Sequence, residues 1–462
     1  MIVWMATLAI AAFSQPSPSP SPLVLNLKTF IGDIKKNHPL AKLAQIQVEK
    51  AKAESLIAKG AFDPNLALEA SRKTFNGKNY YYYANPQLKI PLPIGDVKAG
   101  LEDNGGSFLS TEASAGQSSY LGIEVPLLKG LMMDKRRAAL QQAKLFQLQS
   151  EQEQIKMINN LMLDAYTTYW QWAAAYQLFQ IYTQYSSISQ DRLKLVKLGF
   201  AGGDRSAMDT TEAYLQVLNY EMVKANALQI LNDVRLDISQ FIWDDSATPY
   251  LLAETILPDT TLLADTFTTP NIEAILAKGL AQHPDLSIYQ FKLKSLAVEK
   301  RLKFQSLLPT ANLQANLLNK NYYVLKNWGS SLLENNYKWG ISIKIPLLWR
   351  EARGDYQLVK LKTQETQLNW LQKNREVELK IRSYYNDFTQ LQHQLNIAKE
   401  AYKNYQILLR NETMRFVNGE SSLFLVNNRE LKTLETLEKI VTLQVKFAKA
   451  RYAIDWAAGQ LQ

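Results

Sequence analysis

The sequence contains one long unit twice. Three landmarks recur in the same order: His38-Pro39 and His283-Pro284, Pro126 and Pro346, and the turns that run from Phe200 to Gly203 and from Phe416 to Gly419. Their spacings are 245 (284 − 39), 220 (346 − 126) and 216 (419 − 203). A unit of more than 200 residues is far too long for a short-period solenoid. The chain is therefore predicted to fold with internal pseudo-symmetry.

Four segments are predicted from the repeat and from local composition. The apolar stretch 1–13 ends in small residues, as at a signal cleavage site, and the alternating Pro and Ser at 14–22 indicate an extended linker. Beyond it no apolar run reaches the ~20 residues that a membrane-spanning helix needs. The predicted segments are a signal-like segment and Pro/Ser linker at 1–22, a first repeat at 23–245, an inter-repeat linker at 246–270 and a second repeat at 271–462.

Composition excludes several kinds of site. The chain has no cysteine, so disulfides, cysteine metal sites and a thiol nucleophile are ruled out. Its net charge of +9 is spread along the chain, which is typical of solvated helix faces and predicts no nucleic-acid partner. His38 and His283 each precede a proline at a helix start, so a structural role is predicted for them.

Each copy is predicted to contain one strand pair. Apolar and polar residues alternate with a period of two in four segments, two in each copy: 66–70, 121–125, 313–317 and 337–345. Pro126 and Pro346 are expected at strand ends, where a ladder N–H is no longer needed. Copy one holds 25 more residues than copy two (245 − 220), and these are predicted to form a surface loop around 71–118.

A long helical hairpin is predicted after each strand pair. Pro126 to Gly203 is 77 positions and Pro346 to Gly419 is 73, and neither stretch contains a further proline. A helix of ~70 residues is about 105 Å long. The Gly turns should reverse the chain, and return helices are predicted at about 206–241 and 422–458.

These elements cannot be completed by one chain. A bilayer tolerates strands only in closed barrels, and the smallest common single-chain barrels have about 8 strands. The predicted fold is mainly α with a small β part: two structural repeats form a long α-helical coiled-coil barrel, continued by a transmembrane β-barrel shared between protomers.

The doubled order of helix, strand pair, long helix, Gly turn and return helix resembles the TolC family of outer-membrane efflux channels, the outer membrane factors. The resemblance covers essentially Leu25 to the C-terminus. It is carried by the helix starts at Pro39 and Pro284, the Pro-Leu-Leu strand ends and the Phe-x-x-Gly turns. It implies a homotrimer in the outer-membrane lipid of a Gram-negative cell, with twelve strands and a periplasmic tunnel of twelve helices. A periplasmic adaptor and an inner-membrane transporter are the implied partners.

The resemblance also implies that the turns form the periplasmic entrance. The matching positions are Phe200, Gly202, Gly203, Asp204 and Asp209 in copy one, and Phe416, Gly419 and Asn428 in copy two. Where the family often has acidic residues beyond the second turn, this chain has Leu425 and Asn428. Asp209 has two interpretations: an entrance residue, or a helix cap with Ser206 at capping-box spacing.

The implied mechanism is passive conduction driven by an energised partner. No enzyme activity, cofactor or metal is predicted, since Gly202-Gly203-Asp204 is too short to cradle a phosphate and the histidines are scattered. The alternative function is a non-channel coiled-coil scaffold protein of the cell envelope.

Overall fold

The computed structural model describes residues 23–110, 112–261, 267–322 and 335–461, so the predicted segment 1–22 lies outside the described residues. The elements of the first copy are β1 (Leu23–Leu25), α1 (Leu27–Asn37), α2 (Pro39–Gly60), β2 (Asn65–Phe75), β3 (Lys78–Pro91), β4 (Asp96–Gly105), β5 (Gly116–Pro126), α3 (Lys135–Ala201) and α4 (Ala207–Ser239). The strand β6 (Ile256–Pro258) lies between the two copies. The elements of the second copy are α5 (Ile272–Gln282), α6 (Pro284–Gln305), β7 (Thr310–Lys320), β8 (Tyr337–Lys344), α7 (Arg350–Val417) and α8 (Leu423–Ala457). The order occurs twice, except that β3 and β4 have no counterpart among the described residues of the second copy.

The helices follow the sequence pattern closely. α2 begins at Pro39 and α6 at Pro284, as predicted, because the first turn of a helix does not need the missing N–H. α3 has 67 residues and α7 has 68, so each is about 100 Å long. The predicted return helices are observed as α4 and α8. Within the described ranges, no helix combines the length and the apolar character needed to cross a membrane.

Six strands form one antiparallel sheet in the order β2-β3-β4-β5-β7-β8. The four predicted strands are observed as β2, β5, β7 and β8. Pro126 ends β5, and Pro346 lies just beyond the end of β8. A separate parallel pair, β1 with β6, joins the two copies, and β6 lies inside the predicted inter-repeat linker.

The prediction of a surface loop around 71–118 was wrong, and so was the prediction of a single strand pair in the first copy. The extra residues form β3 and β4, so the described part of the first copy contributes four strands to this sheet. A signal for this hairpin was present in the sequence: Asn76-Gly77 joins β2 to β3 in two residues, both with positive φ, at 55° and 76°. Asn-Gly in such a turn is the strongest short-range hairpin signal, because the mirror-image turn matches the strand twist. The many Gly, Ser, Asn and Tyr residues concealed the alternation.

The chain packs as two compact units. The first comprises the described part of Met1–His38 with Leu163–Thr269 and Asp387–Tyr452. At its centre Tyr169 is buried, and its hydroxyl donates to the carbonyl of Leu25 at 2.7 Å and accepts from the N–H of Asp259 at 3.1 Å. Burial raises the pKa of Tyr169 to about 12, so the hydroxyl keeps its proton and ties the β1–β6 pair to α3.

The second unit comprises Pro39–Met162, Pro270–Asn386 and Ala453–Gln462, and it contains the six-stranded sheet. A core cluster of small and branched side chains packs α5 against α7 and the end of α8: Leu276, Val377, Ile381, Ala457 and Ala458. Gly279 on α5 allows this close approach, because a Cβ there would lie 3.0 Å from Ile381 and 3.3 Å from Ala458.

Candidate functional site

The two Gly turns have the same backbone geometry. In the first, the N–H of Asp204 donates to the carbonyl of Gly199 at 2.9 Å and that of Gly203 to Phe200 at 3.0 Å. In the second, the N–H of Glu420 donates to Arg415 and that of Gly419 to Phe416, at 2.9 and 3.1 Å. The turn glycines have φ of +83° and +79°. Both turns are therefore Schellman motifs, in which a left-handed glycine ends the helix.

Asp209 caps the helix that follows the first turn. Its Oδ2 accepts hydrogen bonds from the N–H and the hydroxyl of Ser206, at 3.0 and 2.9 Å, and its own N–H donates to Ser206 Oγ at 3.1 Å. This is a complete capping box, which satisfies two otherwise unpaired helix N–H groups. The corresponding positions in the second turn are Ser422 and Leu425, where only the bond from the Leu425 N–H to Ser422 Oγ, at 3.4 Å, is present. The capping interpretation of Asp209 is thus observed, and its entrance role stays a prediction.

The two turns contact each other through Arg205. Its guanidinium donates to the carbonyl of Phe416 at 3.0 Å and lies over the Phe416 ring, 4.0 Å from the centroid. Phe416 also packs on a small apolar cluster that contains Val196, Ala213 and Leu423. A cation on an aromatic face contributes roughly 0.5–2 kcal/mol. Arg205 therefore attaches the first turn to the second. The matching residue of copy two is Ser421, which has no guanidinium to make the same contact in return.

The other predicted entrance residues lie on the surface. Five of them are exposed: Gly202, Gly203, Asp204, Gly419 and Asn428. Phe200 is 49% exposed, whereas its counterpart Phe416 is half-buried. The structure thus brings Phe416 together with the first turn and leaves Phe200 available at the surface.

A buried polar network lies next to the turns, and sequence reasoning missed it. Arg192 of α3 donates to both carboxylate oxygens of Glu430 on α8, at 2.6 and 2.8 Å, and the Glu430 side chain is only 3% exposed. Arg192 also donates to the side-chain oxygen of Asn427 at 3.2 Å, and the amide of Asn427 donates to Glu212 on α4 at 3.1 Å. The network connects three helices. Its partners are 238 positions apart, so no local pattern marks the pair.

An open apolar groove lies beside this network. Its volume is about 460 Å³, and its lining includes Ile188, Leu195, Val417 and Val426 together with Phe416. Leu195 and Val417 are 69% and 73% exposed. Burying a side chain of this kind contributes roughly 1.5–3 kcal/mol of stability, which these exposed residues do not provide in the single chain. The helix faces at the turns therefore leave apolar surface exposed in the single chain.

The sheet has one apolar and one polar face. On β8, Trp339, Ile341 and Ile343 are 65%, 51% and 65% exposed, and they alternate with Lys338 and Ser342. The opposite face carries hydrogen bonds and ion pairs between strands, such as Lys98 to Glu124 at 2.6 Å. The face that carries Trp339 also exposes apolar side chains on other strands, including Leu66 and Leu68 on β2 and Leu121 and Ile123 on β5.

The landmark histidines have structural contacts. His283 is the N-cap of α6, and its Nδ1 accepts from the N–H of Asp285 at 3.1 Å. His38 packs against Phe241 and Trp243, with ring centroids 5.8 and 6.0 Å away. Over the described part of the chain, no group of three or more His, Cys, Asp or Glu residues is placed to hold a metal ion.

Comparison with known sequences gives one family. Residues 30–236 match the sequence model of the family described as outer membrane efflux protein. No curated protein sequence matches the chain.

Solved structures share the fold over nearly the whole chain. VceC from Vibrio cholerae is 15% identical, with a TM-score of 0.65 over 94% of this chain and 96% of that one. The CmeC outer membrane channel of Campylobacter jejuni is 14% identical, with a TM-score of 0.65 over 100% and 94%. The MtrE outer membrane channel of Neisseria gonorrhoeae, solved in its open state, is 14% identical, with a TM-score of 0.65 over 94% and 89%. The resemblance drawn from the sequence is confirmed, and so is the mainly helical fold class with a smaller sheet part.

Proposed function

We propose that this chain, whose first copy matches the outer membrane efflux protein family and whose fold is that of outer-membrane channels, is the outer-membrane channel of a tripartite efflux or type I secretion system. It conducts substrates passively from the periplasm to the exterior. The observation that carries the proposal is the six-stranded sheet with an exposed apolar face and a polar face, followed in each copy by a long helical hairpin. Lipid suits the first face and water the second.

The active form is proposed to be a homotrimer. The open sheet edges and the exposed apolar helix faces support this state, because a second copy of the chain can cover both. The sheet would lie in the outer-membrane lipid, and the helices would extend into the periplasm.

The proposed entrance is the pair of turns around Gly203 and Gly419. Their exposed positions would receive a periplasmic adaptor, and an inner-membrane transporter would supply the energy. Cargo then moves through the tube without a covalent step, which is why the chain is proposed to act as a channel and not as an enzyme.

The proposal is tested with a matched pair of variants on β8. Ile341→Lys puts a charge on the apolar face, and Ser342→Lys puts the same charge on the polar face one residue away. A lysine that faces lipid costs about 2–4 kcal/mol near the bilayer midplane. We expect wild type and Ser342→Lys to be extracted from outer membranes only with detergent, as trimers that conduct in planar bilayers. Ile341→Lys should lose most of the inserted trimer.

Two results would contradict the channel. One is a soluble wild-type pool with no detergent-requiring trimer, which would favour the scaffold protein. The other is the absence of conductance from a correctly folded, purified trimer.

A further inference from the structure

The strands β3 and β4 carry the same two faces as the other four strands of the sheet. Residues directly opposite each other on neighbouring strands share a face. One row of such partners crosses all six strands and is apolar throughout: Leu66, Leu88, Ala99, Leu121, Leu317 and Tyr337. The next row on that face contains Ile90, Val97, Ile123, Ala315 and Trp339. In these two rows the apolar face continues through the extra hairpin, whereas farther along the strands the same face carries Asp103 and Ser119.

The opposite face is polar on the same two strands. Its rows include Lys89, Lys98, Gly122, Asn316 and Lys338. Polar contacts cross the extra hairpin on this side: Lys89 pairs with Asp96 at 2.8 Å, and Gln87 donates to the hydroxyl of Tyr120 at 2.6 Å. An ordinary solvent-exposed hairpin has no need of an apolar face of this length.

The lengths and directions of the strands also fit a membrane wall. β3 has 14 residues and β4 has 10, and a tilted membrane strand needs about 9–11. With six strands in which every neighbouring pair is antiparallel, the first and last run in opposite directions. β8 of one protomer can therefore pair antiparallel with β2 of the next. A protomer with four strands would also allow antiparallel pairing with its neighbour. Whether β3 and β4 belong to the barrel wall therefore depends on whether each has one apolar and one polar face.

We infer that β3 and β4 are wall strands, so that three protomers form a ring of eighteen strands and not the twelve that the family resemblance implies. The inference rests on the proposed trimeric channel. At a strand spacing of ~4.8 Å and a tilt of ~40°, eighteen strands give a ring roughly 36 Å across between backbones, against roughly 24 Å for twelve.

A ring of this size has a consequence for cargo. Barrels of 16–18 strands leave an aqueous channel, and the polar face of β3 and β4 would line it. The outer mouth would be wide and water-filled, so bulky polar cargo would pass through it without being selected there by size.

The test is thiol accessibility in the full-length protein, whose lack of cysteine gives a clean background. Single variants are made on the extra hairpin and compared in outer membranes. Leu88→Cys and Val97→Cys report the apolar face, and Gln87→Cys and Lys98→Cys the polar face. We expect a water-soluble maleimide to label the polar-face pair at least about tenfold faster, because lipid-facing and lumen-facing residues alternate in a membrane strand. A spin-labelled lipid should quench a fluorophore on the apolar-face pair alone.

Leu317→Cys and Asn316→Cys on β7 are the matched controls, because they occupy the two faces of a strand that both copies possess. If β7 alternates and the hairpin positions are all labelled fast without quenching, the eighteen-strand ring is wrong while the channel stands. If β7 also shows no lipid contact, the proposed channel itself fails.

Discussion

Arg192 on α3 and Glu430 on α8 form a buried ion pair with two hydrogen bonds, at 2.6 and 2.8 Å. The guanidinium and the carboxylate meet in the planar, two-pronged geometry that suits these groups best. Asn427 accepts a further bond from the same guanidinium at 3.2 Å. The pair joins the first long helix to the last return helix, close to the turns.

Replacing Glu430 by Gln should destabilise the helices near the turns. The substitution leaves the Arg192 charge buried without a counter-charge, which typically costs about 3–5 kcal/mol. Thermal unfolding of the detergent-solubilised protein, followed by circular dichroism, should show a clear loss. Asp191→Asn is the control, because the Lys194–Asp191 pair has a similar distance of 2.8 Å but is exposed. The free energy of unfolding should fall by less than about 1 kcal/mol in this variant. Equal losses in both variants would show that the buried pair stabilises the protein no more than the exposed pair does.

The capping box at Asp209 should contribute to stability independently of conductance. Asp209→Ala removes the acceptor for the Ser206 N–H, and we expect a loss of about 1 kcal/mol, the usual net contribution of one hydrogen bond. Asp209→Asn retains a side-chain oxygen and removes the charge. If Asp209 also lines the entrance, Asp209→Asn alters single-channel conductance or cation block while the thermal midpoint stays near that of wild type. A change in the midpoint with unchanged conductance would leave the cap as its role.

Replacing either turn glycine by alanine should destabilise the protein, although the space around each is open. Gly203 and Gly419 have positive φ, and no atom lies within 4 Å of an added Cβ at either position. Ala at either position should therefore cost about 1–2 kcal/mol through the left-handed backbone alone. Gly354, which lies in α7 with equally open surroundings, is the control. Gly354→Ala should stabilise by up to about 1 kcal/mol, since Ala is the better helix former. A similar loss at all three sites would rule out the backbone explanation.

Stability should fall as the solution becomes mildly acidic, because of His283. Burial lowers the pKa of His283 and nearby Lys156 and Lys373 lower it further, while the Asp285 carboxylate and a hydrogen bond to the Ala457 backbone oppose this shift. Because the unfolded chain then takes up a proton near pH ~6.5 that the folded chain resists, the free energy of unfolding decreases as pH falls through this value. It levels off below the folded pKa.

The histidine contribution is isolated with His283→Asn, which keeps a helix-capping side chain and removes the titration. Thermal midpoints are measured between pH 7.5 and 5. The variant should show a shallower decrease than wild type, whereas His393→Asn at an exposed position should not. Parallel curves for wild type and His283→Asn would contradict the assignment.

Much of this fold follows from patterns that the sequence displays locally. Pro39 and Pro284 predict helix starts because a helix tolerates proline there, and Gly203 and Gly419 predict turns because they need positive φ. The hairpin at Asn76-Gly77 was predictable by the same reasoning, because Asn-Gly favours a two-residue turn with positive φ at both positions.

The interactions that the sequence could not reveal are those between distant elements. Arg192 finds Glu430 only after two helices pack, and Arg205 finds Phe416 only after both turns form. No periodicity or spacing encodes such partners, since each side chain is unremarkable in its own segment.

The contact between Arg205 and Phe416 restricts the movement of the two turns relative to each other. Two hairpins that end in separate turns could swing apart independently, but here the guanidinium of one turn holds both the carbonyl and the ring of the other. In the proposed trimer, six hairpin ends would then move as three linked pairs. Dilation of the entrance would be a displacement of three bodies and not of six, because the link within each pair belongs to a single chain.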